Sequence, residues 1–77
     1  MYAIEYKADS CSVCNMVERN LRECNIKVKL VDKSKATQKI HSTPYTEFYT
    51  DSGTFIDHRI GFISVSDILH IKNVYDK

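Results

Sequence analysis

The sequence predicts an α/β protein with a four-stranded mixed sheet and the element order β-α-β-α-β-β-α. Three observations support this fold class: a strand–helix–strand pattern in residues 2–31, a hairpin pattern in residues 45–60, and an amphipathic helix from Ser64 to about Tyr75. A strand–helix–strand unit places its two strands parallel through a right-handed crossover, whereas a hairpin pairs its strands antiparallel. The sheet is therefore expected to contain both kinds of strand pair.

The strand–helix–strand unit begins with residues 2–7, a short aromatic and aliphatic run without Gly or Pro, as a strand requires. From Ser12 to about Glu23 the apolar residues recur three and four positions apart, which predicts a helix with one apolar face. These residues are Cys14, Val17, Leu21 and Cys24. Asn25 is a suitable helix stop, and residues 26–31 alternate apolar and basic side chains before running apolar, as a second strand would.

The second half of the chain contains a helix prediction and a hairpin prediction. Residues 33–41 are polar, but Ala36 and Ile40 lie four apart, which predicts a short second helix. Residues 45–50 and 54–60 are rich in aromatic and β-branched side chains, and the connection between them includes Gly53. This pattern predicts a β-hairpin.

The last helix has a recognisable beginning. Ser64 supplies a hydroxyl that can cap the first turn, and Asp67 follows three residues later, a variant of the capping box. Ile68, Leu69 and Ile71 then give the helix an apolar side, which we expect to face the sheet.

Length and composition limit the functions available to the chain. With 77 residues, 43% of them hydrophobic, it is expected to form one domain over residues 1–77. A net charge of +1 gives no bulk attraction to nucleic acid. No apolar stretch approaches the roughly 20 residues of a membrane span, and Met1 leads directly into a predicted strand, so we expect a cytoplasmic protein that binds neither nucleic acid nor membranes.

The motif that carries chemistry is Cys11-Ser12-Val13-Cys14, in which two cysteines are spaced so that they can form a disulfide at the start of a helix. A helix N-terminus stabilises a thiolate through its free N–H groups and its dipole, and Cys11 lies where that field is strongest. Cys14 begins the buried face of the helix. This asymmetry is expected of an attacking thiol, Cys11, and a resolving thiol, Cys14.

Metal binding is the alternative use of this motif. A zinc site needs about four ligands, and the other candidates are Cys24 and three scattered histidines, so no metal site is predicted. Cys24 lies on the apolar face of the helix and is interpreted as a buried, inert thiol. A third alternative is an interaction domain in which the cysteines have no chemical role.

Taken together, these features resemble the thioredoxin and glutaredoxin superfamily: a strand, Cys-x-x-Cys at a helix start, a βαβ unit, Thr43-Pro44 at the head of a hairpin, and Gly61 before the last helix. The resemblance implies a thioredoxin-like fold with helices on both faces of the sheet. It also implies that Pro44 follows a cis peptide bond, that the backbone of Thr43 pairs with substrate beside Cys11, and that Gly61 and Phe62 form the other wall of the substrate groove.

The sequence carries features of two branches of the superfamily. The short N-terminus looks like glutaredoxin, whereas the long hairpin resembles thioredoxin. Glu5, six residues before Cys11, falls where thioredoxins keep a buried carboxylate that moves protons for the resolving cysteine, although it could equally point to solvent. Gly61-Phe62 replaces the Gly-Gly that grips glutathione in glutaredoxins, and is similar to the glutaredoxin-like electron donors of ribonucleotide reductase.

The resulting hypothesis is a monomeric dithiol/disulfide oxidoreductase that reduces protein disulfides. Its catalytic residues would be Cys11, Cys14 and Glu5, and ribonucleotide reductase is one candidate substrate. Its only redox group would be the Cys11–Cys14 disulfide, without a further cofactor, and its reductant would be thioredoxin reductase or glutathione. The alternatives are a glutathione-coupled glutaredoxin and, outside this class, a zinc or iron–sulfur module that uses the Cys-x-x-Cys.

Overall fold

A computed structural model describes residues 1–75 of the chain. It contains four strands and two α-helices. They are β1 (Tyr2–Lys7), α1 (Ser12–Glu23), β2 (Lys27–Asp32), β3 (Tyr45–Tyr49), β4 (Phe55–Ile60) and α2 (Val65–Tyr75). The order within these residues is β-α-β-β-α, which confirms every predicted element except the second helix.

The four strands form one mixed sheet in the order β2-β1-β3-β4. Strand β1 is parallel to β2 and antiparallel to β3, and β3 is antiparallel to β4. The parallel pair is the product of the crossover through α1, and the antiparallel pair of β3 and β4 is the predicted hairpin. The predicted four-stranded mixed sheet is therefore confirmed, and the structure adds its strand order and the pairing of β1 with β3.

The predicted helix over residues 33–41 is wrong, because the chain forms only a single 3-10 turn at Lys33–Lys35. The carboxylate of Asp32 accepts a hydrogen bond from the backbone N–H of Ser34 at 2.9 Å, which caps this one turn. Ala36 is already extended, with φ −71° and ψ 144°. Two apolar side chains in nine residues bury too little surface to offset the cost of starting a helix.

The loss of that helix also corrects the prediction of helices on both faces of the sheet. Both α1 and α2 pack on the same face, where side chains of the two helices and of β1 and β3 form one core. Its members are Ala3, Val17, Leu21, Cys24, Ile26, Phe48, Ile63, Ile68 and Ile71. The segment that was expected to cover the opposite face is largely irregular.

That opposite face carries the alternate residues of β1 and β3. Tyr2 stacks on Tyr49 with 5.2 Å between ring centroids. Glu47 lies beside them, and its carboxylate accepts hydrogen bonds from the Tyr49 hydroxyl at 2.9 Å and from Gln38 at 3.3 Å. Burial and the neighbouring Glu47 raise the pKa of Tyr49 to about 12. The loop that contains Gln38 thus covers part of this face in place of a helix.

The ends of the helices follow the sequence signals. Asn25, directly after the C-cap of α1, takes the left-handed conformation with φ 60°. At the start of α2, the Ser64 hydroxyl accepts from the N–H of Asp67 at 3.1 Å, and the Asp67 carboxylate accepts from the N–H of Ser64 at 3.4 Å. Both predicted boundaries are confirmed. Neither helix of residues 1–75 is long and apolar enough to cross a membrane.

Candidate active site

The strand register brings the predicted site segments to one edge of the sheet. Because β1 and β3 are antiparallel and pair Tyr6 with Tyr45, the C-terminal end of β1, which leads to Cys11, lies beside the N-terminal end of β3, which follows Pro44. Strand β4 pairs Ile60 with Tyr45, so Gly61 lies at the same edge. Residues far apart in sequence therefore meet near the start of α1.

The two cysteines form a disulfide, with 5.2 Å between their Cα atoms. Cys11 is the N-cap of α1, and its sulfur accepts a hydrogen bond from the backbone N–H of Cys14 at 3.1 Å. In the reduced protein, a thiolate at this position would be stabilised by that N–H and by the positive end of the helix dipole. The position of Cys11 at the helix start is the one that the sequence predicts.

The two sulfurs differ in access to solvent, as expected. Cys11 is half-buried, whereas Cys14 is 1% exposed and begins the buried face that continues through Val17 and Leu21. An external disulfide can therefore approach Cys11 more easily than Cys14. The arrangement allows one cysteine to attack a partner and the other to resolve the mixed disulfide.

The peptide bond between Thr43 and Pro44 is cis, as the resemblance implies. The carbonyl of Pro44 accepts a hydrogen bond from the N–H of Gly61 at 2.8 Å, which joins the start of β3 to the end of β4. Gly61 has φ 87°, a conformation that glycine adopts without steric cost. Pro44 and Gly61 are therefore held together at the edge that also receives the cysteine loop.

Phe62 and Val13 are exposed apolar side chains on two of the predicted site segments. Phe62 follows Gly61 and is 53% exposed, and Val13 lies between the two cysteines and is 38% exposed. The loop that carries Phe62 is tied to α1, because the side-chain amide of Asn20 donates to the carbonyl of Ile63 at 2.9 Å. A partner that contacts these two side chains would remove them from water.

Glu5 points towards the helices and does not point to solvent, which decides between the two interpretations left open by the sequence. It lies on the same face of β1 as the core residue Ala3, and its side chain is 0% exposed. Burial and the carboxylate of Glu18 raise the pKa of Glu5 from 4.5 to about 7, against the smaller influence of Lys7 and Arg22. A carboxyl with this pKa can exchange a proton near neutral pH.

A cleft of about 380 Å³ lies beside Cys11. It is formed by the loop after β1 and the first turn of α1, and its lining residues are Lys7, Ala8, Asp9, Ser10, Cys11, Ser12 and Asn15. Its charged lining residues, Lys7 and Asp9, are of opposite sign. Among residues 1–75 no three or more potential metal ligands cluster together, and Cys24 is a buried free thiol away from the disulfide.

Two features of the site are absent from the sequence prediction. Thr46 lies opposite Glu5 in the sheet and is 0% exposed, and Asn20 fixes the Phe62 loop. Thr46 could have been found by counting along the predicted strand from Pro44 and alternating faces. Asn20 gave no signal, because it is one of several polar residues on α1.

Comparison with known proteins extends this description. No family model matches the sequence, and no curated protein matches it significantly. Among solved structures, thioredoxin 1 from Thermosipho africanus TCF52B superposes with a TM-score of 0.71 at 18% identity, covering 97% of this chain and 93% of that one.

Two further structures have similar scores. Thioredoxin-2, described as a component of the malaria parasite protein secretion machinery, has a TM-score of 0.71 at 20% identity and covers 94% of this chain and 81% of its own. The structure of a malarial protein has a TM-score of 0.75 at 16% identity and covers 96% of this chain and 94% of its own. On this likeness, the chain has a thioredoxin-like fold.

Proposed function

We propose that this protein is a thiol–disulfide oxidoreductase that reduces protein disulfides through Cys11 and Cys14. The observation that carries this proposal is the disulfide at the N-terminus of α1, with a half-buried Cys11 and a Cys14 that is 1% exposed. In this orientation, one thiol meets the substrate and the other stays within reach of the first. The thioredoxin-like fold of the chain supports the same chemistry.

The proposed reaction has two exchange steps. The Cys11 thiolate attacks one sulfur of the substrate disulfide, which forms a mixed disulfide and releases one substrate thiolate, which then takes up a proton. The Cys14 thiolate then attacks the sulfur of Cys11, which releases the second substrate thiol and leaves the Cys11–Cys14 disulfide. Two electrons pass from the protein to the substrate, and an external reductant must return them.

Glu5 is proposed to accept the proton of the Cys14 thiol before the second step. Its buried carboxyl has a pKa of about 7, so near neutral pH it exists in both the form that accepts a proton and the form that returns one. The Thr43 backbone, Pro44, Gly61 and Phe62 are proposed to hold the substrate chain at the edge of the sheet. The exposed Phe62 ring favours a protein substrate over a small disulfide.

The experiment that tests the proposal is reduction of insulin disulfides with dithiothreitol as the electron source. We expect Cys11→Ser to abolish the activity. Cys14→Ser, first reduced and then freed of dithiothreitol, should form a stable mixed disulfide between Cys11 and insulin. Cys24→Ser is the matched control, since Cys24 is buried and outside the disulfide, and it should retain activity. Equal activity of the wild-type protein and Cys11→Ser would show instead that the cysteines have no redox role.

A glutathione-coupled reaction is the second candidate, and the cleft beside Cys11 favours it. Lys7 and Asp9 line this cleft, and the ammonium of Lys7 would pair with a carboxylate of glutathione while Asp9 would pair with its amino group. The oxidised protein should be offered NADPH with thioredoxin reductase in one assay, and glutathione with its reductase in another. Faster reduction by glutathione would support this candidate, and faster reduction by thioredoxin reductase would support the first.

Three further points follow as proposals. Ribonucleotide reductase is a candidate among protein substrates, on the resemblance carried by Gly61 and Phe62. A protein that reduces disulfides would work in a reducing compartment such as the cytoplasm, and it would act as a monomer.

The zinc or iron–sulfur alternative is tested by metal analysis of protein purified anaerobically. This alternative requires about one zinc per chain, or iron together with sulfide.

A further inference from the structure

Glu5 and Thr46 form a buried polar pair between two central strands. Glu5 of β1 and Thr46 of β3 are directly opposite each other in the antiparallel register, and both side chains point to the face that carries the helices. Each is 0% exposed. Side chains directly opposite on one face of such a pair have their Cβ atoms about 5 Å apart, so their polar groups lie within reach of each other.

Neither side chain has a hydrogen-bond partner. Among residues 1–75, the buried side-chain oxygens without a partner are the two carboxyl oxygens of Glu5 and the hydroxyl oxygen of Thr46. Glu47, the other buried acid, receives hydrogen bonds from Tyr49 and Gln38. A buried polar group without a partner destabilises the folded state, and the two unpaired groups here are complementary.

We propose that Thr46 is a positioning residue whose hydroxyl hydrogen-bonds to the Glu5 carboxyl, directly or through one enclosed water, and so orients that carboxyl. The role of the oriented carboxyl in proton transfer to and from Cys14 rests on the proposed function. The hydrogen bond itself does not depend on that function, since it follows from the strand register and the burial of both groups.

A threonine hydroxyl suits both protonation states of the carboxyl. It donates to the carboxylate when Glu5 is charged, and its oxygen accepts from the carboxylic acid when Glu5 is neutral. Valine has nearly the same shape but can do neither. Serine keeps the hydroxyl and loses only a methyl group, so the comparison of valine with serine separates hydrogen bonding from packing.

Charged groups on the surrounding elements also act on Glu5 and must stay constant in the test. Lys7 lies on β1. Glu18 and Arg22 lie on α1 and form an ion pair with each other. On β4, the residue opposite Thr46 is Arg59, which forms an ion pair with Asp57.

The neighbours of the pair on β2 and α2 are uncharged. The residue opposite Glu5 on β2 is Leu30, and the buried residues of α2 are Ile68 and Ile71. Substitution at Thr46 changes none of the charges on β1, α1 and β4.

The test is a pH titration of the Glu5 side-chain carboxyl in the reduced protein, monitored by carbon-13 NMR. The hydrogen bond to the charged carboxylate is stronger than the one to the neutral acid, so the hydroxyl favours the charged form and Thr46→Val should raise the Glu5 midpoint by about one pH unit. Thr46→Ser should restore it to within about 0.3 pH unit of the wild type. Glu5→Gln identifies the signal by removing it.

Unchanged titration of Glu5 in Thr46→Val would overturn the proposal, and so would an equal upward shift in Thr46→Ser. If Thr46→Val does not fold, Thr46→Ala provides the same comparison without a branched side chain. In that case an equal Glu5 midpoint in Thr46→Ala and Thr46→Ser overturns the hydrogen bond.

A second readout separates this pair from the proposed function. The pH profile of insulin reduction should move upward with the Glu5 midpoint in Thr46→Val and return in Thr46→Ser. A shifted NMR midpoint with an unshifted activity profile would retain the Glu5–Thr46 hydrogen bond and reject the role of Glu5 in proton transfer. A shifted activity profile without an NMR shift would reject the hydrogen bond.

Discussion

The backbone N–H of Cys14 donates a hydrogen bond to the sulfur of Cys11 at 3.1 Å, so a sulfur takes the place of the usual N-cap oxygen at the start of α1. The same geometry in the reduced protein would stabilise a thiolate on Cys11 and leave the Cys14 thiol inside the helix. The difference between the two cysteines is therefore a property of the first helical turn.

Selective alkylation checks this difference. In the reduced protein at pH 7 we expect Cys11 to react with iodoacetamide at least about tenfold faster than Cys14, because it combines a stabilised thiolate with better access. Peptide mass spectrometry after short exposures measures both rates. The buried Cys24 serves as the slow internal reference, and equal rates for Cys11 and Cys14 would contradict the expected asymmetry.

Phe62 is expected to contribute to binding of protein substrates. Replacing this exposed ring by serine should raise the KM for insulin by about tenfold, which corresponds to about 1.4 kcal/mol, with little change in kcat. Phe55→Ser is the matched control, since Phe55 is 51% exposed against 53% for Phe62 but lies at the opposite end of β4. A small disulfide substrate should not distinguish the two variants, and an equal KM increase in both would count against a Phe62 contact.

The sequence predicts the sheet and the cysteine site better than it predicts the segment between β2 and β3, where the helix over residues 33–41 is wrong. Periodicity identified α1 because Val17 and Leu21 fall on one buried face, and Gly53 and Ser64 marked the turn and the cap. The spacing of Ala36 and Ile40 was too weak a signal for a helix, since a polar segment gains little burial from becoming helical.

Contacts between distant residues could not be predicted in the same way. The hydrogen bond from Asn20 to Ile63 and the opposition of Glu5 and Thr46 depend on how the strands and helices are placed relative to each other. Local sequence patterns do not contain this information. The resemblance indicated a buried carboxylate at Glu5, but the tertiary structure was needed to decide which way that side chain points.

Leu21 is expected to be a main contributor to stability, since it is 0% exposed and lies in the core between the helices and the sheet. Leu21→Ala should lower the free energy of unfolding by about 3 kcal/mol, from lost burial and the cavity that remains. Urea denaturation measures the change. Leu69→Ala, at a position that is 42% exposed, should cost less than about 1 kcal/mol, and similar losses in both variants would contradict the assigned core.

Glu5 makes the stability of the protein depend on pH. Its pKa is about 7 in the folded protein against 4.5 for an unperturbed glutamate, so the folded state binds the proton more tightly than the unfolded state. The stabilising contribution of the protonated carboxyl is fully present below pH 4.5 and is lost as the pH rises through 7. The full loss corresponds to about 3 kcal/mol.

Glu5→Gln should remove this dependence, because glutamine stays neutral. As the pH rises from 4.5 to 8, the wild type loses this contribution and the variant does not. The free energy of unfolding of the variant minus that of the wild type should therefore increase by about 3 kcal/mol over this range, measured by urea denaturation at each pH. Glu23→Gln is the matched control for the loss of one acidic side chain, since Glu23 is exposed at the end of α1, and an equal increase in this variant would contradict a specific effect of Glu5. A constant difference between Glu5→Gln and the wild type would mean that Glu5 titrates alike in the folded and unfolded states.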